Sequence, residues 1–166
     1  QNIATVNYLE IPLGQQVEYW ITTDNVPMSA FFIPQLGSQI YAMAGMQTQL
    51  HGVINKPGNY EGFSANYSGA GFSGMKFRFH GVSPAEFDAW IQKSKASGNV
   101  LSREAYLELA KPSEREAARF YGQVEPKLYH DILNLCADGK TRCMDETMAI
   151  DKGLKPRNHS RAEASA

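Results

Sequence analysis

Hydrophobic and polar positions alternate with a period of two at several places in the first half of the chain. Val17, Tyr19 and Ile21 share one face of a segment that runs from residue 17 to 22. In the run Met75-Lys76-Phe77-Arg78-Phe79-His80, Met75, Phe77 and Phe79 point one way and Lys76, Arg78 and His80 the other. This period predicts strands with one face in a core. Shorter β-prone runs surround them: residues 4–11 up to Pro12-Leu13-Gly14, 29–33 stopped by Pro34, 36–43 followed by Gly45, 46–54, and 60–65. The turn signals Asp24-Asn25-Val26-Pro27 and Asn55-Lys56-Pro57-Gly58-Asn59 separate some of them. Short strands between Gly/Pro turns predict a mainly β fold, a Greek-key β-sandwich.

The period changes at Ser83. Ser83-Pro84-Ala85-Glu86 reads as a capping box with Pro at the first helical position, and Phe87, Trp90 and Ile91 then share a helical face. Ser97-Gly98-Asn99 ends that helix; Ser102 opens another, with Ala105, Tyr106 and Leu109 inside and Pro112 as its stop. A second capping box, Ser113 to Glu116, predicts a helix through Phe120 and Tyr121. Pro126 starts one with Leu128, Ile132 and Leu135 in register. The last residues are polar, with few large apolar side chains after Ile150. The organisation expected is a sandwich over 1–82, a helical, aromatic-rich extension over 83–137 and a flexible tail over 138–166.

Composition narrows the partners. Net charge is −1 over 166 residues and pI is near 6.5, which gives no reason to expect a nucleic acid. Ionised side chains are sparse before Ser83 and frequent after it. No apolar run is long enough to span a bilayer. The start, Gln1-Asn2-Ile3, lacks the basic and apolar regions of a signal peptide and an initiator Met, so a fragment or processed form is expected. Cys136 and Cys143 flank Ala-Asp-Gly-Lys-Thr-Arg, whose Asp138-Gly139 turn would let them meet; a disulfide and two free thiols are both open.

Candidate chemistry is thin. His51, His80, His130 and His159 are far apart and read better as surface or hydrogen-bonded residues than as ligands. Nucleophile-elbow, P-loop and dinucleotide motifs are missing, and the β part carries only Glu10, Glu18, Asp24 and Glu61 as carboxylates. Met28, Met43, Met46 and Met75 could be copper thioethers, but core filling is the simpler reading. Phe31, Phe32, Tyr41, Tyr60, Phe63, Tyr67 and Phe72 gather around one loop end of the sandwich, as core or as a docking surface. Read by itself, the Gly/Ser-rich stretch 62–77 at that end says only that the backbone turns tightly.

Three blocks carry a family resemblance: Ser29-Ala30-Phe31-Phe32-Ile33-Pro34, the run from Leu36 to Thr48, and the run from Tyr67 to Phe77. In this order they closely resemble subunit II of the cytochrome-o-type ubiquinol oxidases, a branch of the haem–copper oxidases, over roughly residues 1–137. The resemblance implies a cupredoxin-like domain on the periplasmic face of the bacterial inner membrane. Relatives that oxidise cytochrome c hold a dinuclear copper centre in such a domain. Its pattern is a His on an earlier strand end, then Cys-x-Glu-x-Cys-x-x-x-His-x-x-Met. Laid on this chain, that pattern falls on Ser29, Ser64, Asn66, Ser68, Phe72 and Met75, and only Met75 keeps its type.

What is implied is therefore a subunit without metal, cofactor or catalytic residues of its own, with Met75 as a core residue on a strand. The holoenzyme would oxidise ubiquinol, reduce oxygen to water and pump protons, with haem and copper in subunit I. Partners would be subunit I, the other subunits, and the membrane through an N-terminal segment absent here; a missing first strand would leave a sheet edge unpaired. Two alternatives remain open: a copper-binding electron carrier of cytochrome c oxidase type, and a free-standing periplasmic binding or assembly module.

Overall fold

The structure, a computed structural model, describes residues 2–24 and 28–154. Eight strands come first: β1 Ala4–Val6, β2 Tyr8–Pro12, β3 Gln16–Ile21, β4 Met28–Ile33, β5 Ser38–Met43, β6 Thr48–Val53, β7 Gly58–Ser64 and β8 Lys76–Val82. The single run predicted over 4–11 is two strands, because Asn7 adopts φ 54° and turns the chain. β2, β8, β7, β4 and β5 form a five-stranded sheet in that order, with β2 parallel to β8 and the other pairs antiparallel. β3 and β6 form a separate antiparallel pair. The predicted turn residues 25–27 lie outside the described residues.

The alternation read in β3 holds: Val17 and Tyr19 pack against the core while Gln16, Glu18 and Trp20 face outward. Ile11, Ile33, Ile54 and Phe79 are its buried centre, drawn from β2, β4, the turn after β6, and β8. Leu9, Leu13, Phe31, Leu36, Tyr60 and Phe77 close around them. At Gly62 of β7 the Phe77 ring lies so close that a Cβ would sit 2.2 Å from its Cζ atom.

The extension has helices α1 Pro84–Lys95, α2 Arg103–Leu109, α3 Leu128–Leu133 and α4 Met144–Asp151, with short strands β9 Val100–Leu101, β10 Arg119–Tyr121 and β11 Gln123–Val124. The first capping box is present in full: the Glu86 amide donates to Ser83 Oγ at 3.3 Å, and the Ser83 amide to Glu86 Oε2 at 2.8 Å. Ser102 caps α2 in the same way, accepting from the Ala105 amide at 3.2 Å.

Three sequence expectations are corrected here. Ser113 to Glu116 open no helix. Arg115 sits at φ 55°, and Phe120 and Tyr121 form β10, antiparallel to β1 with Ala4 opposite Tyr121. The reason is tertiary: Phe120 packs edge-on against Tyr8 at 5.2 Å, in a seam that also holds Trp90 of α1 and His80 of β8. Next, α3 stops at Leu133, and Leu135, expected on its apolar face, lies past the helix at φ 55°. Finally, the polar stretch from 138 is structured through α4 as far as residue 154, residues 155–166 of the expected tail lying outside the described residues. A Cys136–Cys143 disulfide joins it to the segment just past α3, which decides between the two cysteine readings.

Candidate functional site

The loop between β7 and β8 is closed by backbone bonds: the Ser64 amide donates to the Met75 carbonyl at 3.0 Å, and the Ala65 amide to the Ala30 carbonyl at 2.9 Å. These place the end of β7, the start of β4 and residue 75 side by side. Ser29 and Ser64 then share a hydroxyl–hydroxyl hydrogen bond of 2.8 Å. Ser68 Oγ donates to Met75 Sδ at 3.3 Å. Asn66 Nδ2 donates to the Met28 carbonyl at 3.3 Å, next to Ser29. Phe72 opens a 3-10 turn, Phe72–Gly74, and its carbonyl accepts from the Met75 amide at 3.1 Å. All six positions singled out in the sequence thus belong to one contact network at one tip of the sandwich.

Met75 is not the core residue expected. It precedes β8, is 38% exposed, and its sulfur faces Ser68. The seven aromatics divide. Phe31 stacks on Phe77 and Tyr60 on Phe79, as core. Phe32 and Phe63 make an edge-to-face pair. Tyr67 leans on Phe72 but is 77% exposed, and Tyr41 is also exposed. An open cleft of about 940 Å³ runs beside the tip, with Ser29, Ser64 and Met75 on one side and Leu109, Glu114 and Arg115 of the extension on the other. Glu114 and Arg115 of the extension stand beside Gly71 and Gly74, within ordinary van der Waals reach of a Cβ built there at 3.5 and 3.9 Å.

Dinuclear copper asks for bridging thiolates and imidazoles. The tip offers serine hydroxyls, which stay protonated at neutral pH, an amide, a phenyl ring and one thioether, so these residues do not fit such a centre. Described histidines are engaged elsewhere: His51 with Gln16, His80 with Asn59, and His130 with two aspartates. His159 lies outside the described residues. Asp131, Cys136 and Cys143 put one oxygen and two sulfurs within 4.8 Å of one another, but the sulfurs are bonded to each other and offer no thiolate.

A second polar cluster was not foreseen from the sequence. Arg103 of α2 donates to Asp131 of α3 at 2.5 Å and to the Ala137 carbonyl at 2.8 Å, while its amide donates to Glu125 at 2.6 Å. His130 lies 3.1 Å from both Asp131 and Asp145, the latter on α4. Burial alone would lower the His130 pKa, but the hydrogen bonds to Asp131 and Asp145 outweigh it and the value is raised above 6.5. For Asp131 burial pushes upward, yet the bonds from Arg103 and His130 bring the carboxyl below its ordinary 3.8. Arg103 and Asp131 are 28 positions apart and His130 and Asp145 are 15 apart, so no local spacing announced these pairs.

Comparison with known proteins places this geometry in a family. The chain is 52% identical over 133 residues to ubiquinol oxidase subunit 2 of Acetobacter aceti, covering 80% of this chain and 43% of that protein. It is a homologue of ubiquinol oxidase subunit 2. Identity to the cytochrome bo(3) ubiquinol oxidase subunit 2 of Pseudomonas aeruginosa is 50% over 133 residues, 80% of this chain and 40% of the relative. The chain therefore spans less than half the length of these relatives. A family model described as the COX Aromatic Rich Motif matches residues 95–140 of this ubiquinol oxidase subunit 2 homologue, within the helical extension. Among solved structures, the periplasmic domain of subunit II of cytochrome oxidase from Bradyrhizobium japonicum superposes with a TM-score of 0.52 at 23% identity, over 55% of this chain and 65% of that one. That likeness shows the fold, and the cupredoxin-like sandwich with a C-terminal helical extension is the one expected. Among the described residues, no helix is long and apolar enough to cross a membrane.

Proposed function

We propose that this chain is the periplasmic-face domain of a quinol oxidase subunit II that no longer carries electrons. Its role is structural: it caps and steadies the subunit in which haem and copper oxidise ubiquinol, reduce oxygen to water and drive proton pumping. Membrane attachment, the partner subunits and the division at residues 82 and 137 belong to the same reading. Ser29, Ser64, Asn66, Ser68, Phe72 and Met75 are then the positions of a lost dinuclear copper site.

The single observation that carries this reading is the 2.8 Å bond between the Ser29 and Ser64 hydroxyls. Each hydroxyl satisfies the other at the place where soft ligands would have to stand. A hydroxyl pair holds the loop without a cation and binds copper poorly.

Two measurements test it. Metal analysis after copper addition and gel filtration is expected to find far less than one copper per chain. Stoichiometric copper that survives a chelator wash would restore the electron-carrier reading. Solubilisation of native membranes in detergent is expected to yield this chain at one-to-one stoichiometry with a haem-bearing subunit; recovery only as a separate protein would favour a free-standing periplasmic module.

A further inference from the structure

Helix α4 is eight residues long and none of its residues is fully buried. A helix this short is marginal in water without tertiary support, and Met148 and Ile150 on it are exposed. Its support is concentrated at its first turn. The Met144 amide donates to the Asn134 carbonyl at 3.0 Å, the Asp145 amide to Asn134 Oδ1 at 3.2 Å, and the Asp145 carboxylate meets His130 Nε2 at 3.1 Å. Covalently, Cys143 at its N-cap is joined to Cys136 just past α3.

What α4 holds is the turn after β5. The Met144 side chain covers Gly45 so closely that a Cβ there would lie 2.9 Å from its sulfur, with Leu135 also in reach. Tyr129 of α3 adds a hydrogen bond to Gln47 Oε1 at 2.9 Å. The turn follows Met43, which is paired with Met28, the neighbour of Ser29. Helices α3 and α4 thus grip the sandwich at the same end as the hydroxyl tip.

We infer that the Cys136–Cys143 disulfide is a reducible clasp, open to exchange with a dithiol reductant, whose cleavage frees α4 from the residue 44–47 turn and leaves the sandwich folded. Cys136 is buried and Cys143 half-buried, so the entering thiolate reaches Cys143 Sγ. The S–S bond breaks, Cys136 leaves as a thiolate and takes a proton from water. The second thiol of the reductant then resolves the mixed disulfide and releases Cys143 as a thiol. In sum two electrons and two protons pass to the protein disulfide, and the dithiol becomes a disulfide. Opening the short loop returns the chain entropy that the crosslink had removed from the undocked state, so α4 is left on its few polar contacts.

The test treats the whole 166-residue chain with dithiothreitol under native conditions, counts thiols by alkylation and mass, and follows amide exchange by segment. With two thiols counted, exchange across 144–151 is expected to rise roughly tenfold to a hundredfold. Exchange at 44–47 should rise with it, while β7 and β8 keep their protection. A double Cys136→Ser, Cys143→Ser variant is expected to show the same pattern without reductant. Unchanged protection of α4, simultaneous loss of protection over the whole sandwich, or a disulfide that yields two thiols only in denaturant would each overturn the proposal.

Discussion

Gly62 shows how a missing side chain becomes a packing requirement. The Phe77 ring occupies the space a methyl would need, and Phe77 is itself stacked on Phe31 at 5.5 Å, so it has little room to retreat. Gly62→Ala is therefore expected to destabilise the sandwich by about 1–3 kcal/mol, read as a lower midpoint in urea with an unchanged slope. A different kind of residue-scale test applies to the tip. Joint replacement Ser29→His, Ser64→Cys, Asn66→Glu, Ser68→Cys and Phe72→His puts soft donors into positions already linked by contacts. Copper uptake with a visible thiolate-to-copper band is the expected outcome. A folded variant that takes up no copper would show that these positions do not correspond to the old ligands.

Between elements, the α3–α4 junction makes stability depend on pH with a definite sign. The folded pKa of His130 is raised, so its contribution is complete below about 6.5 and is lost as pH rises through the folded value. The folded pKa of Asp131 is lowered, so its contribution is present above about 3.8 and is lost as pH falls through the folded value. Local opening of α4, corrected for intrinsic exchange, should thus increase as pH rises above about 6.5 and through the raised folded value of His130. Asp145→Asn should lower the His130 pKa in an NMR titration and flatten that profile. Elements built from local signals were the legible ones: the alternation in β3, that of β8 from Lys76 onward though not Met75 before it, and the caps at Ser83 and Ser102 stand where the sequence puts them. Ser113 to Glu116 carry the same cap signal and fail, because the aromatic at 120 is claimed by Tyr8, over a hundred positions away. The six tip residues were legible through a resemblance; the hydrogen bonds that replace ligation there, and the Arg103 cluster, depend on three-dimensional neighbours that no spacing reveals.

At the scale of the molecule, sandwich and extension share structure. β1 pairs with β10, and Tyr8, His80, Trp90 and Phe120 form one aromatic seam across the two parts. Unfolding is expected as a single cooperative transition, with matching calorimetric and van't Hoff enthalpies. A chain ending at Val82 would bare that seam, and should bind a hydrophobic dye and melt broadly. Two separate transitions in the full chain would contradict this.

The pairing of Ala4 with Tyr121 also sets a timetable. Strand β1 finds its partner only after more than a hundred further residues have been made, roughly ten seconds at ordinary elongation rates. Until then β1 has no ladder to join, and the seam that Phe120 completes stays open to solvent. Completion of the fold waits on residues 119–121, so a message cut short before them leaves a product in which β1 is never docked.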